Sequence, residues 1–119
     1  MVAEDIEINR EILLTLLEDS GLIIDCAVNG KEAVDMIAAD RDKYDIVLMD
    51  MRMPEMSGVE ATRLIRKMDV SKKLPIIALT ANVFKDDIAE CLTAGMDDHL
   101  GKPFDMGKVF EMLEKYLRG

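Results

Sequence analysis

Two patterns of apolar residues alternate along this chain. Short unbroken apolar runs, of which Ile76-Ile77-Ala78-Leu79 is the clearest, predict strands with both faces buried. Between them, apolar residues recur every three or four positions, which predicts amphipathic helices. The regular alternation of the two patterns predicts five β–α units, and therefore a parallel sheet with right-handed crossovers and helices on both faces.

The predicted elements follow one another without a repeat, a low-complexity segment or a linker. The first strand is the apolar start Met1-Val2-Ala3, and the other four span Leu22–Val28, Tyr44–Asp50, Pro75–Thr80 and Asp98–Gly101. The predicted helices span Ile8–Asp19, Lys31–Ala39, Ser57–Met68, Lys85–Ala94 and Asp105–Leu117.

Two of the helices carry clear local signals. The apolar residues of the first helix recur at helical spacing and predict its buried face: Ile8, Ile12, Leu13, Leu16 and Leu17. In the third helix, Ser57 and Glu60 have the spacing of a capping box. Its candidate buried residues are Val59, Leu64, Ile65 and Met68.

Charged and hydroxyl side chains stand where the predicted strands end. Glu4 and Asp5 follow the first strand, Asp50 ends the third, Thr80 ends the fourth, and Lys102 follows the fifth. The carboxyl ends of parallel strands share one edge, where ligands bind in open α/β sheets, so these residues are predicted to share a rim. A charge at the tip of a buried strand requires water, a cation or a reaction. Taken alone, Asp50 is explained equally well as a helix cap or a solvated turn residue, and Lys102 is better explained as a solvated lysine.

Composition limits the classes of function. The 119 residues suit one domain spanning 1–119, half of them apolar and a third charged. The net charge of -9 argues against a nucleic-acid partner. No apolar run approaches the ~20 residues of a membrane span, and no signal peptide is recognisable, so we expect a cytoplasmic protein without direct membrane contact. Cys26 and Cys91 are expected to be reduced thiols.

The residues at the strand ends belong to a longer, ordered set of motifs. The set comprises Glu4-Asp5 with Asn9-Arg10, Asn29-Gly30-x-Glu32-Ala33, Leu48-Met49-Asp50-x-x-Met53-Pro54-x-Met56-x-Gly58, Pro75-Ile76-Ile77-Ala78-Leu79-Thr80-Ala81-Asn82, Ala94-Gly95-Met96-Asp97-Asp98 and Lys102-Pro103. Over essentially the whole chain it resembles the response regulator receiver domain of two-component signalling, most closely the receivers of hybrid sensor histidine kinases. Each motif alone is weak, but their common order is specific. The resemblance implies a flavodoxin-like (βα)5 three-layer sandwich with a five-stranded parallel sheet of order 2-1-3-4-5.

The resemblance also implies a chemistry for the strand ends. Asp50 would accept a phosphoryl group from a phosphohistidine on a histidine kinase or a histidine phosphotransfer domain, and Lys102 would pair with a phosphoryl oxygen. Because a carboxylate and a phosphoryl group repel each other, a divalent cation, Mg²⁺ or Mn²⁺, would bridge them. Asp5, Glu4, Asp50 and the backbone carbonyl of Arg52 would hold it.

Further residues would link phosphorylation to partner binding. By resemblance, Thr80 hydrogen-bonds the phosphoryl group and moves the 81–99 region, while Ala81 leaves room beside the phosphate and Asn82 flanks it. His99 occupies the position where the family usually has Tyr or Phe as a switch partner of Thr80. A surface or core histidine without that role is an equal alternative. Pro103 is expected to follow a cis peptide.

The chain departs from the family in its first strand. Only three apolar residues precede Glu4, fewer than is usual in receivers. Because this strand lies at or beside the centre of the sheet, its shortness is expected to remove ladder hydrogen bonds and lower stability. It could also loosen the acidic pair or promote exchange of elements between chains, which leaves a homodimer open.

Three other functions compete with a phosphoaccepting receiver. An aspartyl-phosphate phosphatase would usually have a second Asp two residues after its nucleophile, where this chain has Arg52. A receiver-like interaction module that works without phosphorylation is the main alternative. A nucleotide-binding domain is disfavoured because no Gly-rich loop follows the first strand. We therefore expect self-catalysed phosphorylation and dephosphorylation only, in a stand-alone regulator or in part of a hybrid kinase.

Overall fold

The computed structural model describes residues 1–18, 24–40, 43–68, 74–80, 85–101 and 104–117, the last two ranges without the side chains of residues 85–87 and 117. Within these residues, five strands alternate with five helices. The strands are β1 (Val2–Ala3), β2 (Cys26–Ala27), β3 (Val47–Asp50), β4 (Ile76–Thr80) and β5 (Asp98–Gly101). The helices are α1 (Glu7–Leu17), α2 (Gly30–Ala39), α3 (Gly58–Arg66), α4 (Lys85–Ala94) and α5 (Met106–Leu117).

The strands form one parallel sheet in the order β2-β1-β3-β4-β5. Its topology follows from the chain pattern: each strand is followed by a helix that returns the chain to the same end of the sheet before the next strand begins. The predicted α/β class, the strand order and the short first strand are therefore confirmed.

The first strand is short, yet its hydrogen bonds continue beyond its two residues. Val2 pairs with Cys26 on one side and with Leu48 on the other. The Leu48 amide donates to the Met1 carbonyl at 2.9 Å, and the Glu4 amide donates to the Ala27 carbonyl at 3.0 Å. The residues flanking the strand thus take part in the ladder, which fixes the backbone at the acidic pair.

Alternating side chains of the strands divide the core into two layers. Ala3, Met49 and Ala78 face one layer, which also contains residues of α2, α3 and α4. Val2 and Leu48 face the other layer, together with residues of α1 and α5. Since successive strand residues point to opposite faces, the unbroken apolar runs in the sequence serve both layers at once.

Two predicted strands are shorter than expected. The second was predicted over Leu22–Val28, but β2 spans only Cys26–Ala27, and residues 19–23 lie outside the described part of the chain. The third was predicted from Tyr44, but β3 begins at Val47. The cause for β2 is its neighbour: it is paired with β1, and β1 offers a ladder of only two residues.

The predicted buried faces of two helices are partly wrong. Leu13 and Leu17 of α1 are buried, but Ile8 is 63% exposed and Ile12 is 42% exposed. On α3, Leu64 is exposed while its neighbour Ile65 is buried. In both helices the apolar residues are spread around more of the helix than the sheet covers, and spacing alone does not select the covered part. The predicted capping box is present: the Ser57 hydroxyl accepts from the Glu60 amide at 3.1 Å.

Candidate functional site

Three acidic side chains meet at the carboxyl ends of two neighbouring strands. Glu4 and Asp5 directly follow β1, and Asp50 is the last residue of β3. Pairing of Ala3 with Met49 brings the residues that follow to the same edge of the sheet. One carboxylate oxygen of each acid lies within 4.8 Å of the other two, and Glu4 and Asp50 are buried. The acids predicted to share a rim therefore do lie together.

The first turns of α1 hold the acidic pair in place. The Asn9 amide group donates to the carboxylate Oε1 of Glu4 at 2.6 Å. The Arg10 guanidinium donates to the backbone carbonyls of Glu4 at 2.8 Å and of Asp5 at 3.0 Å. The sequence analysis assigned no role to Asn9 and Arg10. Their position within the first turn of a helix that starts just after the acids is the signal that could have identified them.

The donor set fits a hard divalent cation. The oxygen Oδ1 of Asp5 is buried and accepts no hydrogen bond from the part of the chain that the structure describes. A buried carboxylate oxygen of this kind, beside two further carboxylates, is costly unless positive charge compensates it. Carboxylate and carbonyl oxygens are the ligands that Mg²⁺ takes in proteins. The residues present could therefore hold Mg²⁺.

The loop after β3 is folded tightly against Asp50. The Arg52 amide donates to Oδ1 of Asp50 at 3.3 Å, and the Gly58 amide donates to the Met51 carbonyl at 2.9 Å. A Cβ atom at Gly58 would collide with the backbone carbonyl oxygen of Asp50. Glycine is therefore required at 58 so that the start of α3 can approach the end of β3 this closely. The role predicted for the Arg52 carbonyl stays a prediction.

The other predicted site residues divide into two groups. Thr80 is buried at the end of β4, one residue beyond Leu79, which pairs with Asp50 on the adjacent strand. His99 lies within β5 beside Ala78, and its side chain is 36% exposed. The second group lies outside the described residues: Ala81, Asn82, Lys102 and Pro103.

A sulfur contact joins the site to α4. The Cys91 thiol donates to the sulfur of Met51 at 3.3 Å, and both side chains are buried. Met51 immediately follows Asp50, so α4 touches the loop of the acidic site through this pair. Cys91 was predicted only to be a reduced thiol, and its contact with Met51 could not be predicted because the two residues are forty positions apart in the chain.

The fold and the site together define a class: a parallel α/β domain with an acidic cluster that could hold a cation at the carboxyl ends of its central strands. Residues 1–114 match the family described as response regulator receiver domain. The chain belongs to that family. The family resemblance found in the sequence is confirmed.

Curated relatives are histidine kinases that contain such a domain. The chain is 38% identical over 120 residues to hybrid signal transduction histidine kinase L of Dictyostelium discoideum, covering 98% of this chain and 7% of that protein. It is 39% identical over 117 residues to the aerobic respiration control sensor protein ArcB of Escherichia coli strain K12, covering 98% of this chain and 15% of that protein. The chain thus corresponds to a small part of these relatives.

Solved structures agree with this family. The receiver domain of sensor histidine kinase PA1611 from Pseudomonas aeruginosa PAO1, with a magnesium ion in its active-site cleft, is 36% identical with a TM-score of 0.88, covering 99% of this chain and 95% of that one. The receiver domain of Saccharomyces cerevisiae Ssk1, crystallised with the histidine phosphotransfer protein Ypd1, is 28% identical with a TM-score of 0.87, covering 97% and 85%.

The helices described here have no membrane-spanning character. None of them is both long enough and apolar enough to cross a bilayer.

Proposed function

We propose that this chain is a phosphoacceptor receiver domain of a two-component phosphorelay, in which Asp50 receives a phosphoryl group from a phosphohistidine. The observation that carries the proposal is the convergence of Glu4, Asp5 and Asp50 at the carboxyl edge of the sheet, with ligand oxygens within 4.8 Å of one another. Three like charges are gathered in a part-buried site, and a reaction that requires a divalent cation accounts for them.

The proposed reaction is one phosphoryl transfer. A carboxylate oxygen of Asp50 supplies the electron pair of a new O–P bond to the phosphorus. The N–P bond of the phosphohistidine breaks, and its electron pair returns to the imidazole, which takes up a proton from solvent. Bound Mg²⁺ or Mn²⁺ supplies the positive charge that reduces repulsion between the carboxylate and the phosphoryl oxygens.

The chain's own residues prepare the site for this step. Asp5, Glu4, Asp50 and the backbone carbonyl of Arg52 are the proposed cation ligands. Asn9 orients the Glu4 carboxylate, and its short hydrogen bond at 2.6 Å supports that role. With Glu4 and Asp50 buried, the ligand oxygens have little solvent around them and little freedom to reorient.

Other residues are proposed to act on the phosphoryl group once it is attached. Lys102 neutralises a phosphoryl oxygen, and Thr80 donates a hydrogen bond to another. Ala81 leaves room for the group and Asn82 flanks it. The cis peptide before Pro103 stays a prediction from the family resemblance.

Partner binding is proposed to change through Thr80 and the 81–99 region. The added group carries about -1.5 to -2 charges, enough to favour one of two loop arrangements. His99, in β5 beside β4, would follow the movement of Thr80. The partly exposed histidine and its packing next to Ala78 support its inclusion in that region.

Exposed apolar side chains of the α1 and α5 segments are proposed as the surface on which the phosphohistidine partner docks. They are Ile6, which directly precedes α1, Ile8 and Ile12 in α1, and Met106 and Phe110 in α5. Both helices pack on the same core layer, and both begin at the edge that carries the acids because each follows a strand. A helical partner with apolar side chains around its phosphohistidine fits this surface.

The proposal extends to the parent protein. Residues 1–119 are taken as one receiver domain with self-catalysed phosphorylation and dephosphorylation only. Its partner is a histidine kinase or a histidine phosphotransfer domain, and its setting is the cytoplasm, tethered if the parent kinase is membrane-bound. The identities of 38% and 39% to histidine kinases support a hybrid kinase as the parent.

Intact mass spectrometry tests the reaction. After incubation with a small phosphodonor and Mg²⁺, we expect a gain of one phosphoryl group that disappears in Asp50→Ala and after chelation of the metal. Asp35→Asn, which alters an exposed acid on α2, serves as the matched control and should retain the gain. No gain in the folded wild-type protein would contradict the proposal and favour an interaction module that works without phosphate.

A further inference from the structure

The turn at the start of α2, at Asn29 and Gly30, is in direct contact with the loop that follows β3, the strand that ends in Asp50. The Gly30 amide donates to the Met56 carbonyl at 3.0 Å. Gly30 is buried, and a Cβ atom there would collide with the same Met56 carbonyl oxygen and lie 2.8 Å from the Ser57 carbonyl oxygen. Both obstacles are backbone atoms, which cannot rotate away as the end of a flexible side chain would. Glycine at 30 is therefore what permits the contact.

The other end of the same short segment presses on Asp50. Gly58 directly follows Met56-Ser57, and a Cβ atom at 58 would collide with the Asp50 carbonyl oxygen. The backbone of residues 56–58 is thus a spacer with close contacts at both ends, the β2–α2 turn on one side and the end of β3 on the other. In a close-packed interior, displacement of one end is transmitted to the other.

Neighbouring hydrogen bonds hold the backbone of residues 56–58 in place. The Asn29 side chain accepts from the Glu32 amide at 2.7 Å, which caps α2, and it donates to the Glu55 carboxylate at 3.4 Å. Glu55 has a φ of 64°, a left-handed conformation in which a residue with a side chain is strained. The loop is held in a strained turn by contacts on both sides. A Cβ atom at residue 30 would therefore displace the backbone of residues 56–58, because no small local shift can accommodate it.

We propose that Gly30 is a positioning residue for phosphoryl transfer: through the Met56-Ser57 backbone it sets where β3 presents Asp50 to the cation and the phosphodonor. The inference rests on the proposed function of Asp50. Gly30 touches neither the acidic cluster nor any reacting atom, and it acts only through the loop between them.

The test compares alanine at two glycines that occupy similar places. Gly30 is the first residue of α2, and Gly107 is the second residue of α5. Among the described residues, a Cβ atom at Gly107 would meet only the Asp105 carboxylate, at 3.2 Å. With a small phosphodonor at saturating Mg²⁺, we expect Gly30→Ala to be phosphorylated ~10-fold to ~100-fold more slowly than wild type, since misplacement by about 1 Å costs about that much. Gly107→Ala should keep the wild-type rate.

Two further readouts distinguish positioning from a general loss of structure. The rates are measured well below the melting temperature of each variant, and the backbone amide resonances of Met51, Arg52 and Gly58 are recorded. We expect these resonances to shift in Gly30→Ala and not in Gly107→Ala. An unchanged rate in Gly30→Ala would overturn the inference while leaving Asp50 as the phosphoacceptor. Absence of phosphorylation in wild type would instead contradict the proposed function itself.

A measurement on the wild-type protein covers the case in which Gly30→Ala does not fold. The amides of Gly30 and Gly58 each donate into this loop, to the Met56 and Met51 carbonyls. When Mg²⁺ saturates the protein, hydrogen exchange should slow at both amides by similar factors. Slower exchange at Gly58 alone would show that the turn at Gly30 is independent of the site, and would overturn the inference.

Discussion

Acidic side chains gather at both ends of the sheet, but the two ends treat them differently. At the amino ends of the strands, three acids of the described residues form ion pairs with basic side chains. The ion pairs there are Arg66–Asp97 at 2.8 Å, Lys43–Asp25 at 2.9 Å and Lys115–Asp98 at 3.1 Å. At the carboxyl ends Glu4, Asp5 and Asp50 gather around one another, and the nearby Arg10 donates to backbone carbonyls of that turn.

The ion-paired acids at the amino end stabilise the fold, whereas the three acids at the carboxyl end are arranged as they would be to hold a cation. At the amino end, Arg66 also donates to the carbonyls of Gly95 at 2.8 Å and Leu74 at 2.6 Å, so it joins α3 to the segment before β4 and to the turn before β5. At the carboxyl end, carboxylates are gathered at a cost to stability, which is the usual consequence of building a reactive site.

The largest effect is expected at the amino end. Replacement of Arg66 by methionine removes the cation beside Asp97, whose side chain is only 11% exposed, together with two hydrogen bonds to backbone carbonyls. Breaking a largely buried ion pair in this way should lower the free energy of unfolding by about 3 kcal/mol. Chemical denaturation measures it. Arg63→Met, at an exposed position of the same helix, should lower the free energy of unfolding far less. Equal losses of stability in the two variants would show that the Arg66–Asp97 pair does not stabilise the amino end.

At the carboxyl end, added Mg²⁺ is expected to raise the free energy of unfolding by an amount similar in size to the loss in Arg66→Met. A ligand that binds only the folded state stabilises it by about 2.7 kcal/mol when its free concentration is about 100 times Kd. Asp5→Asn should lose most of that gain, because the amide lacks the negative charge of the carboxylate whose buried oxygen accepts no hydrogen bond in the described part of the chain. Asp35→Asn, an exposed acid on α2, should keep it. Thermal unfolding with and without Mg²⁺ gives the answer, and a gain retained in Asp5→Asn would contradict the proposed ligand set.

Acid-to-amide replacements should have opposite signs at the two ends. Without Mg²⁺, Asp50→Asn is expected to raise the free energy of unfolding by about 1 kcal/mol, because it removes one of three gathered charges that repel at short range. Asp97→Asn should lower it, because Arg66 would keep its charge and lose its counter-ion. Denaturation of both variants in chelator gives the two signs. Destabilisation by Asp50→Asn would mean that the acids contribute to the fold without metal.

The sequence predicted the carboxyl end of the sheet much better than the amino end. Strand tips are visible in the hydrophobic pattern, and parallel pairing brings their next residues together without further information, so Glu4, Asp5 and Asp50 could be grouped in advance. Arg66 and Asp97 are thirty-one residues apart, and nothing in their local sequence marks either as a partner. Their contact depends on how α3 packs beside the turn before β5.

The misplaced elements have the same origin. The predicted second strand followed its own apolar run, but the length of β2 is limited by its two-residue neighbour β1. Ile8 was predicted as buried because spacing reports which residues share a helix face, whereas the sheet and its neighbours determine how wide a face is covered. Local pattern therefore predicts the identity of each element, and tertiary packing determines its limits and which of its apolar residues stay exposed.

The smallest effect is a dependence on pH at the amino end. Burial alone would raise the pKa of Asp98, but the His99 amide, Lys115 and Tyr116 together outweigh it and lower the pKa below the usual 3.8. A carboxyl group whose pKa is lowered by folding contributes stability above its unfolded pKa and loses that stability as pH falls through the folded pKa. Unfolding free energies between about pH 5 and about pH 2 should therefore fall more steeply in wild type than in Asp98→Asn.

The control for this prediction is the exposed acid Asp35, since Asp35→Asn should leave the steepness of the acid limb close to that of wild type. If the free energy of unfolding falls equally steeply with pH in wild type and in Asp98→Asn, then Lys115 and Tyr116 stabilise the Asp98 carboxylate no more in the folded state than water does in the unfolded state. The contrast between the ends would then rest on the Lys43–Asp25 and Arg66–Asp97 pairs. Lys115 and Lys43 are exposed side chains whose ion pairs are screened by solvent, whereas Arg66 is mostly buried and joins α3 to the segments before β4 and β5.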